Sequence, residues 1–552
     1  MKKTAIALLL AGISAGAGAQ TMYDAFNYSK SNYEGTARTV AMGNAFTALG
    51  GDIGAVSINP AGSAVARYSQ VSVSPGVSIS SNTATGTDQA WFGKNLRTSL
   101  AKFSMPNFGF TVNFETPRIS GMKNWSMGFA VNRSDTYLDD MMAAGTNMNT
   151  SFAGSLATFT NGFHSGDLLA DDAYDNISPA DWRAILAHRT NIAGLIPLLP
   201  GQDESTAPDN EYIGITENEF LVTDDNGSYW AMEQGGPIDQ TFARRTTGSK
   251  YDYVFNWAAN FSDRVFVGVN LGIISMNYSH QYYIRETAQD PSFFKTGFNY
   301  LKYSYGYDVS GTGVYGKFGI LVTPFAGLRL GAAIQTPTSM TIRESWYMAA
   351  EQNSETVGSG KESSPEGEYS YNLVSPFRFN VGAAYTFGSV GLISLDYEMC
   401  DYSGMQFNEI GTNDNSAFDA VNEDIRTFMG ISHEFRAGAE VKPIPELAIR
   451  AGYGFITSAI PSDVYYENQY LWERTEGNVQ NYSLGLGYSS NGSFFADAAV
   501  RLTKYADTFI RPYEYYTYDN AWNQNIDTSV LTPEIWSRRM LWNVILTIGF
   551  RF

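Results

Sequence analysis

Every second residue in the last segment of this chain is apolar, and this pattern restricts the fold more than any other feature. The apolar positions are Met540, Trp542, Val544, Leu546, Ile548, Phe550 and Phe552. Side chains of a β-strand alternate between its two faces, so a wholly apolar face opposite a mixed one is typical of a transmembrane barrel wall. An edge strand of a soluble sandwich is the alternative, but such a strand has no need of an unbroken apolar face.

The same period of two predicts about fourteen strands along the chain. We expect them near residues 69–81, 99–114, 122–137, 249–260, 264–287, 298–323, 327–347, 367–387, 389–405, 428–442, 445–459, 478–489, 492–515 and 537–552.

The lengths of the connections are a second, independent signal. Tight turns follow the even-numbered strands, for example at residues 323–326, 443–445 and 490–492, whereas long polar stretches follow the odd ones, for example at 348–366, 406–427 and 460–477. This alternation is typical of an up-and-down antiparallel outer-membrane barrel with periplasmic turns and extracellular loops. Both chain ends are then expected on the periplasmic side.

Residues 1–19 read as a secretory signal peptide, with cleavage expected before Gln20. After it, no stretch contains the roughly 18 consecutive apolar residues that a membrane-spanning helix needs.

Aromatic residues make up 14% of the chain and charged residues 16%, which suits many aromatic-rich strands. The only cysteine, Cys400, excludes an intramolecular disulfide and is expected to be an inert thiol on the inner face. We therefore expect the protein in the outer membrane of a Gram-negative cell.

Charge and histidine placement argue against several other functions. The net charge of −19 disfavours nucleic-acid binding, which needs a basic surface. The four histidines show no metal-binding spacing, and no glycine-rich phosphate loop is present; the histidines are His164, His188, His280 and His433. We expect no metal, no cofactor and no enzymatic activity. A catalytic role for His280 at the barrel rim is the weaker alternative to a structural one.

The alternation also assigns faces to the strands. Val265, Val267, Val269, Leu271 and Ile273 should meet lipid, while Gly268 and Gly272 on the opposite face leave room inside. The inner face of the eighth and later strands carries charges, at Arg378, Asp396, Glu398, Glu434, Arg436, Glu440, Lys442, Arg450, Asp497 and Arg501. These charges form either a lattice of cross-strand ion pairs filling the bore, or a polar path or anchor for a plug.

Residues 138–248 form a predicted large extracellular loop, too long to lack structure of its own. Ser178, Pro179 and Asp181 read as a helix start ahead of Trp182. Its apolar residues are expected to form a small core, with any exposed part available to a hydrophobic solute.

Residues 20–68 precede the first strand and do not alternate like one. Small residues over 41–48 suit short helical pieces that pack close to a wall, and Pro60 forces Asn59 out of helical conformation. In the simplest interpretation this stretch only turns the chain into the first strand; in the other it plugs the barrel of residues 69–552.

This stretch resembles the N-terminal hatch of the FadL/TodX family of outer-membrane transporters, and the chain looks like a Bacteroidetes-like member. The matching positions are Gly35, Arg38, Gly43, Ala45, Asp52, Asn59, Pro60 and Ala61. The resemblance implies passive, TonB-independent uptake of hydrophobic small molecules such as long-chain fatty acids. It also implies a hatch that shifts, and lateral release at a kinked third strand. In this chain the third strand, around Trp125 and Val131, is predicted to run straight into the large loop, which departs from that pattern.

The expected partners follow from this interpretation. They are a fatty-acid-like ligand, the lipid bilayer with its lipopolysaccharide, and the barrel-assembly machinery, which would recognise Phe552 as in other bacterial outer-membrane barrels. A monomer is expected. Two other functions remain open: a non-transporting adhesin or structural barrel that binds a partner through acidic, tyrosine-rich loops, and a general diffusion porin.

Overall fold

The computed structural model describes residues 20–86, 93–118, 120–159, 168, 182–194, 215–216, 219–223, 229–234, 236–294, 297–355, 358–411, 416–460, 477–490, 493–520, 523–526, 530 and 532–552. The predicted signal peptide, the predicted helix start at residues 178–181 and His164 lie outside these ranges.

Fourteen antiparallel strands form one closed barrel. They are β1 Gln70–Gly86, β2 Leu96–Glu115, β3 Met122–Thr136, β4 Ile238–Phe261, β5 Val265–Ala288, β6 Phe298–Val322, β7 Leu328–Gln335 with Ser339–Ser354, β8 Gly367–Val374 with Arg378–Thr386, β9 Gly391–Asp401, β10 Ile431–Ile444, β11 Leu447–Ile456, β12 Val479–Ser489, β13 Phe494–Tyr505 and β14 Ile535–Arg551. Each strand pairs with its sequence neighbours, and β14 pairs with β1 from Arg551 opposite Gln70 to Ile535 opposite Gly86. The predicted strand number and topology are confirmed.

Two strands are broken by proline, which the alternation did not reveal. Pro337 separates the halves of β7, and Pro376 separates the halves of β8. A proline has no backbone N–H to give to the ladder, so the pairing lapses at each position and resumes beyond it.

The connections alternate in length as expected. Between β10 and β11 the chain turns within two residues, Pro445 and Glu446, whereas β9 and β10 are separated by residues 402–430, which contain helix α5 at Asp419–Phe428. Ser69 and Phe552 are joined by backbone hydrogen bonds of 3.0 Å at the short-turn end of the barrel. The start of β1 and the end of the chain therefore lie side by side.

The long connection after β3 contains helices and additional strands. The chain forms a strand at Asp139–Asn147 that pairs with the first part of β4, so β4 begins at Ile238. Helices α3, Phe152–Thr158, and α4, Trp182–Arg189, follow. Two hairpins pair Ala193–Gly194 with Ile215–Thr216 and Glu219–Thr223 with Tyr229–Gln234. A third hairpin, Tyr516–Asn520 with Asn523–Ile526, precedes β14.

The two faces of the wall differ in polarity as the alternation predicts. On β14, Leu546 and Ile548 are exposed on the outer surface while Thr547 between them is fully buried. On β5, Val269 and Leu271 are exposed and Asn270 is buried. This outward apolar band is the surface that a barrel presents to lipid. Among the described residues, no helix is long and apolar enough to cross a membrane.

Candidate functional site

Residues 20–66 pack against the inward-facing side chains of the barrel wall. Helix α1, Met22–Ser29, begins with a capping box in which Thr21 and Asp24 satisfy each other's backbone N–H groups. Helix α2, Ala37–Ala41, is capped by Thr36, and the Ala37 N–H donates to Thr547 Oγ1 on β14 at 2.7 Å. Two 3₁₀ helices, Gly54–Ser57 and Pro60–Val65, complete this part, which we call the N-terminal segment.

Glycines on seven strands allow the backbone of the N-terminal segment to touch the wall. At each position an added Cβ would lie within 2.5 Å of the segment or of a side chain packed with it, which real Cβ atoms do not tolerate. These glycines are Gly268, Gly319, Gly331, Gly382, Gly438, Gly452 and Gly485. The predicted small-residue lining is thus the surface on which the segment rests.

The residues of the N-terminal motif mainly hold the segment to itself. Asp52 accepts hydrogen bonds from Thr36 Oγ1 at 2.7 Å and from the Gly54 N–H at 2.9 Å. Gly43 has a φ of +62° and contacts the backbone of β11, a conformation and a proximity that favour glycine. Gly35 lies against Gly54, and Ala45 is completely buried.

Asn59 links the segment to the wall. Its Nδ2 donates to the Thr47 carbonyl at 2.6 Å and to the Ile320 carbonyl of β6 at 3.2 Å, and its Oδ1 accepts from the Ala61 N–H at 3.1 Å. Pro60 occupies the first position of the following 3₁₀ helix. One amide therefore caps that helix and joins two other parts of the chain.

Arg38 connects the segment to one group of the predicted inner charges. Its Nε lies 3.3 Å from Glu440 Oε2, which also accepts from Arg450 Nε at 2.6 Å, and Arg450 Nη1 contacts Asp497 Oδ1 at 2.5 Å. Burial disfavours the charge of Arg38, but Glu440 together with Asp52 and Asp497 outweighs burial and raises the pKa of the guanidinium. Lys442, which was predicted on the same inner face as Glu440, is exposed at the end of β10.

A second charge group lies on β8, β9 and β10. Glu398 pairs with Arg378 at 2.9 Å and with Arg436 at 3.0 Å. Arg436 also lies 3.6 Å from Glu434. Arg378 Nη2 donates to the Ser29 carbonyl at 2.8 Å, and Asp396 on β9 accepts from the Thr47 N–H at 2.7 Å. The inner charges thus bond both to one another across the strands and to the N-terminal segment.

The ladder between β2 and β3 is interrupted, and the N-terminal segment covers the exposed edge. Pairing runs from Glu115 opposite Asn124 only to Asn107 opposite Asn132. Beyond that point the carbonyls of Arg133 and Ser134 accept from the N–H groups of Glu34 at 2.8 Å and Asn32 at 2.7 Å. The segment therefore takes the place of β2 along this edge of β3.

Side chains reinforce this contact. Arg133 Nε donates to Glu34 Oε2 at 2.9 Å, and its Nη1 donates to Ser104 Oγ of β2 at 2.6 Å. Arg501 on β13 lies 3.2 Å from Glu34 Oε1 and donates to the Tyr33 carbonyl at 2.7 Å. Arg133, Arg501 and Glu34 are each no more than 2% exposed. Two strands, β3 and β13, thus meet the segment at one carboxylate, and Ser104 of β2 holds Arg133 in place.

Sequence reasoning missed Glu34 and Arg133, although a signal was present. The apolar positions of β3 from Trp125 to Val131 place Arg133 on the lipid side, where a charge costs about 2–4 kcal/mol near the midplane. In the structure the register shifts between Arg133 and Asp135, and the guanidinium points inward. Lys250 and Lys317 were also missed; their Nζ atoms donate to the carbonyls of Tyr28 at 3.1 Å and Ser57 at 2.7 Å.

The start of the described chain contacts the inner wall closer to the long loops, at Glu344 of β7. Glu344 accepts from Gln20 Nε2 at 2.9 Å, from Tyr28 OH at 3.1 Å and from Tyr371 OH. Burial raises the pKa of the nearby Asp24 carboxyl, and the hydrogen bonds from Thr21 oppose that shift.

Two apolar clusters lie in the long-loop half of the barrel. The first surrounds α1 and includes Phe26, Met276 and Phe418. The second lies beneath α3 and α4 and includes Phe152 and Leu186. Between them, inward-facing rings on β5 and β6 form a row that we call the aromatic row, consisting of Tyr278, His280, Tyr282, Tyr303, Tyr305 and Tyr307.

Ring contacts connect the aromatic row to both clusters. Tyr303 lies 5.0 Å from Phe152, and Tyr278 lies 6.0 Å from Tyr28, measured between ring centroids. His280 lies 5.3 Å from Tyr307, and its Nδ1 is 3.2 Å from Thr246 Oγ1. A continuous aromatic surface therefore runs from the large loop down to the N-terminal segment. In the described ranges, no group of three or more His, Cys, Asp or Glu side chains could hold a metal ion, and Cys400 is buried.

Solved structures share this architecture. A FadL homologue of Pseudomonas aeruginosa superposes with a TM-score of 0.51 at 10% sequence identity, over 94% of this chain and 98% of that one. The chain has the FadL-type barrel fold. Toluene transporters of P. putida, TodX, and of Ralstonia pickettii, TbuX, match at TM-scores of 0.48 and 0.46 and identities of 10% and 13%, covering 94% and 96% of this chain and 98% and 100% of theirs.

No family model and no curated protein matches the sequence. The FadL-type fold is thus detected through three-dimensional similarity, at an identity that establishes architecture alone. In this chain the longest connection between barrel strands follows β3.

Proposed function

We propose that this protein is an outer-membrane channel for the passive uptake of hydrophobic small molecules, with the N-terminal segment acting as its hatch. The observation that carries the proposal is the interrupted β2–β3 ladder, whose free edge is covered by Asn32 and Glu34 of the segment. A barrel that needed only stability would complete this ladder, since backbone groups left unpaired in lipid cost several kcal/mol.

The route begins at the loops, which we place on the extracellular side. A hydrophobic solute enters beneath α3 and α4 and moves along the aromatic row toward α1. Partly exposed Tyr282, Tyr305 and Tyr307 offer apolar ring faces there, and ring contacts with a flat or apolar solute need no fixed geometry. The solute then meets the N-terminal segment, which blocks an open aqueous path.

Release requires residues 32–34 to leave the edge of β3. Their removal would expose a gap between residues 99–106 of β2 and residues 133–138 of β3 and the chain after it, and this gap opens to the bilayer. Phe103 and Met105 lie on the outer face beside it, at 68% and 40% exposure. An apolar solute leaving through this gap enters lipid without crossing water.

Fold similarity supports the choice of cargo class. Two of the similar structures are toluene transporters, and this chain combines the same architecture with an aromatic inner row. Long-chain fatty acids belong to the same hydrophobic class and are the first probes to test.

The test locks the segment to β3. Cysteines introduced at Asn32 and Ser134, whose backbones are hydrogen bonded, would be placed in a Cys400→Ser background and oxidised in whole cells. We expect oxidation to stop uptake of a fluorescent fatty acid and a reductant to restore it, while Asn32→Cys alone transports under both conditions. Equal uptake by oxidised cells, by reduced cells and by cells that lack the protein would contradict the proposal. Single-channel recordings would show a general porin by its steady open conductance.

A further inference from the structure

A groove of about 370 Å³ lies on the outer face of the barrel, on the opposite side of β2 from the proposed exit. It is formed by the long-loop ends of β14, β1 and β2. Trp542 and Met540 line its lower part, and Trp536, Arg538 and Arg97 line its upper part.

Strand register places the two arginines at one level. Thr83 of β1 pairs with Arg538 of β14 on one side and with Arg97 of β2 on the other. Because neighbouring strands are about 4.8 Å apart, the two backbones are separated by about 10 Å. Both side chains point outward and are exposed. They therefore lie at the same level on either side of β1.

Among the described residues that line the groove, basic side chains outnumber carboxylates: Arg97 and Arg538 lie beside Asp507. Arg538 donates to the carboxylate of Asp507 at 3.0 and 2.7 Å, and Arg97 Nε donates to Ser81 Oγ at 3.0 Å. Glu534, which accepts from Trp536 Nε1 at 2.5 Å, is itself paired with Arg511. Exposed Lys504 lies one row lower, where it pairs with Met540. Guanidinium groups bind phosphate through paired, charge-assisted hydrogen bonds.

The lower part of the groove is apolar. Trp542 is 41% exposed, and the outward residues that follow on β14 are Val544, Leu546 and Ile548. Tryptophan is enriched where a membrane protein crosses from hydrocarbon to headgroups. A ligand that fits both parts carries phosphate on a broad polar head and acyl chains below it.

We propose that this groove binds a lipid A-type phosphorylated glycolipid of the outer leaflet. Its disaccharide head spans the row from Arg97 to Arg538, its phosphate meets the guanidiniums, and its acyl chains lie along Met540 and Trp542. The inference rests on the proposed outward orientation of the long loops and is independent of transport.

The test measures lipid retention by native mass spectrometry of the detergent-purified protein. The probes are monophosphorylated lipid A, the same lipid after enzymatic dephosphorylation, and phosphatidylglycerol. We expect the wild type to retain the phosphorylated glycolipid at least about fivefold better than either other lipid. The double variant Arg97→Gln with Arg538→Gln should retain phosphorylated and dephosphorylated lipid A equally.

Arg343→Gln is the matched control. Arg343 is an exposed arginine paired with Glu368 at 2.7 Å, as Arg538 is with Asp507, but it lies on β7 away from the groove. Its replacement should leave retention unchanged. Equal retention of phosphorylated and dephosphorylated lipid A by the wild type overturns the proposal without any variant. Equal retention of phosphatidylglycerol also overturns it, because the groove would then select negative charge alone.

Discussion

Glu34 and Arg133 form a buried ion pair in which Arg133 Nε lies 2.9 Å from Glu34 Oε2, and neither side chain is more than 2% exposed. Glu34 belongs to the N-terminal segment and Arg133 to the edge of β3 that β2 leaves unpaired. The pair therefore joins the proposed hatch to the proposed exit.

Glu34→Gln should loosen the hatch. It removes the carboxylate shared by Arg133 and Arg501, and breaking one side of a buried pair costs about 3–5 kcal/mol. We expect higher conductance in planar bilayers and faster proteolysis of residues 20–66, with the barrel still heat-modifiable on gels. Glu368→Gln, at the exposed pair with Arg343, is the control and should change neither measurement.

Two glycines on β11 provide a matched test of the close contact between wall and segment. A Cβ at Gly452 would overlap Met42 and Gly43 of the segment, whereas one at Gly454 would lie 3.4 Å from its nearest neighbour, Asn481. Gly452→Ala should displace the segment and raise conductance, and Gly454→Ala should leave conductance at the wild-type level. The same conductance for both variants would show that the segment does not depend on this contact.

Asn59→Ala should weaken the link between segment and β6. The change removes hydrogen bonds to the carbonyls of Thr47 and Ile320 and the cap on the Ala61 N–H. Loss of a helix cap alone costs about 0.5–2 kcal/mol. We expect altered fatty-acid uptake in whole cells with an unchanged amount of folded barrel. Unchanged uptake would restrict Asn59 to turning the chain into β1.

Glu286→Ala should release the large loop from the barrel. Glu286 on β5 accepts from the N–H groups of Phe152 and Ala153 at the start of α3, at 2.6 and 3.1 Å, and from Gln240 Nε2 at 2.6 Å. Leaving buried donors unsatisfied costs about 1–3 kcal/mol each. Limited proteolysis should cut the 148–237 region faster in Glu286→Ala than in the wild type, with Glu286→Gln between them.

Asp263, in the β4–β5 turn, should make the stability of the protein decrease in acid. Hydrogen bonds from Lys123 and Asn260, together with nearby Arg67, lower the pKa of its carboxyl to about 2. Its stabilising contribution is therefore complete above the ordinary aspartate pKa of about 3.9 and is lost as pH falls toward 2. Because the carboxylate is partly exposed, we expect it to contribute less than about 1 kcal/mol to the free energy of unfolding. The difference in urea stability between wild type and Asp263→Asn should shrink from pH 5 to pH 2.

Sequence patterns over short stretches of the chain predicted most of the fold. The alternation from Met540 to Phe552 predicts both the existence of β14 and its faces, because the side-chain period of a strand is two and a lipid-facing position tolerates no charge. Glycine and small residues on the inner faces likewise predicted room for the N-terminal segment. The breaks at Pro337 and Pro376 could also have been read from the sequence, since proline cannot donate to a ladder.

Pairings across the bore could not be predicted in this way. Nothing near Glu34 in sequence points to Arg133, ninety-nine residues later, or to Arg501 on β13. The alternation of β3 puts Arg133 at a lipid-facing position, but the shifted register that turns it inward depends on β4 and on the segment together.

The sequence by itself determined a fourteen-strand antiparallel barrel, its two faces and the short-long order of its connections, because each of these follows from residues close together in the chain. Tertiary structure alone decided which inner charges meet, that β2 leaves part of β3 unpaired, and that the N-terminal segment covers that edge. The physical reason is barrel closure: it brings residues hundreds of positions apart into a buried interior, where each charge and backbone group must find a partner.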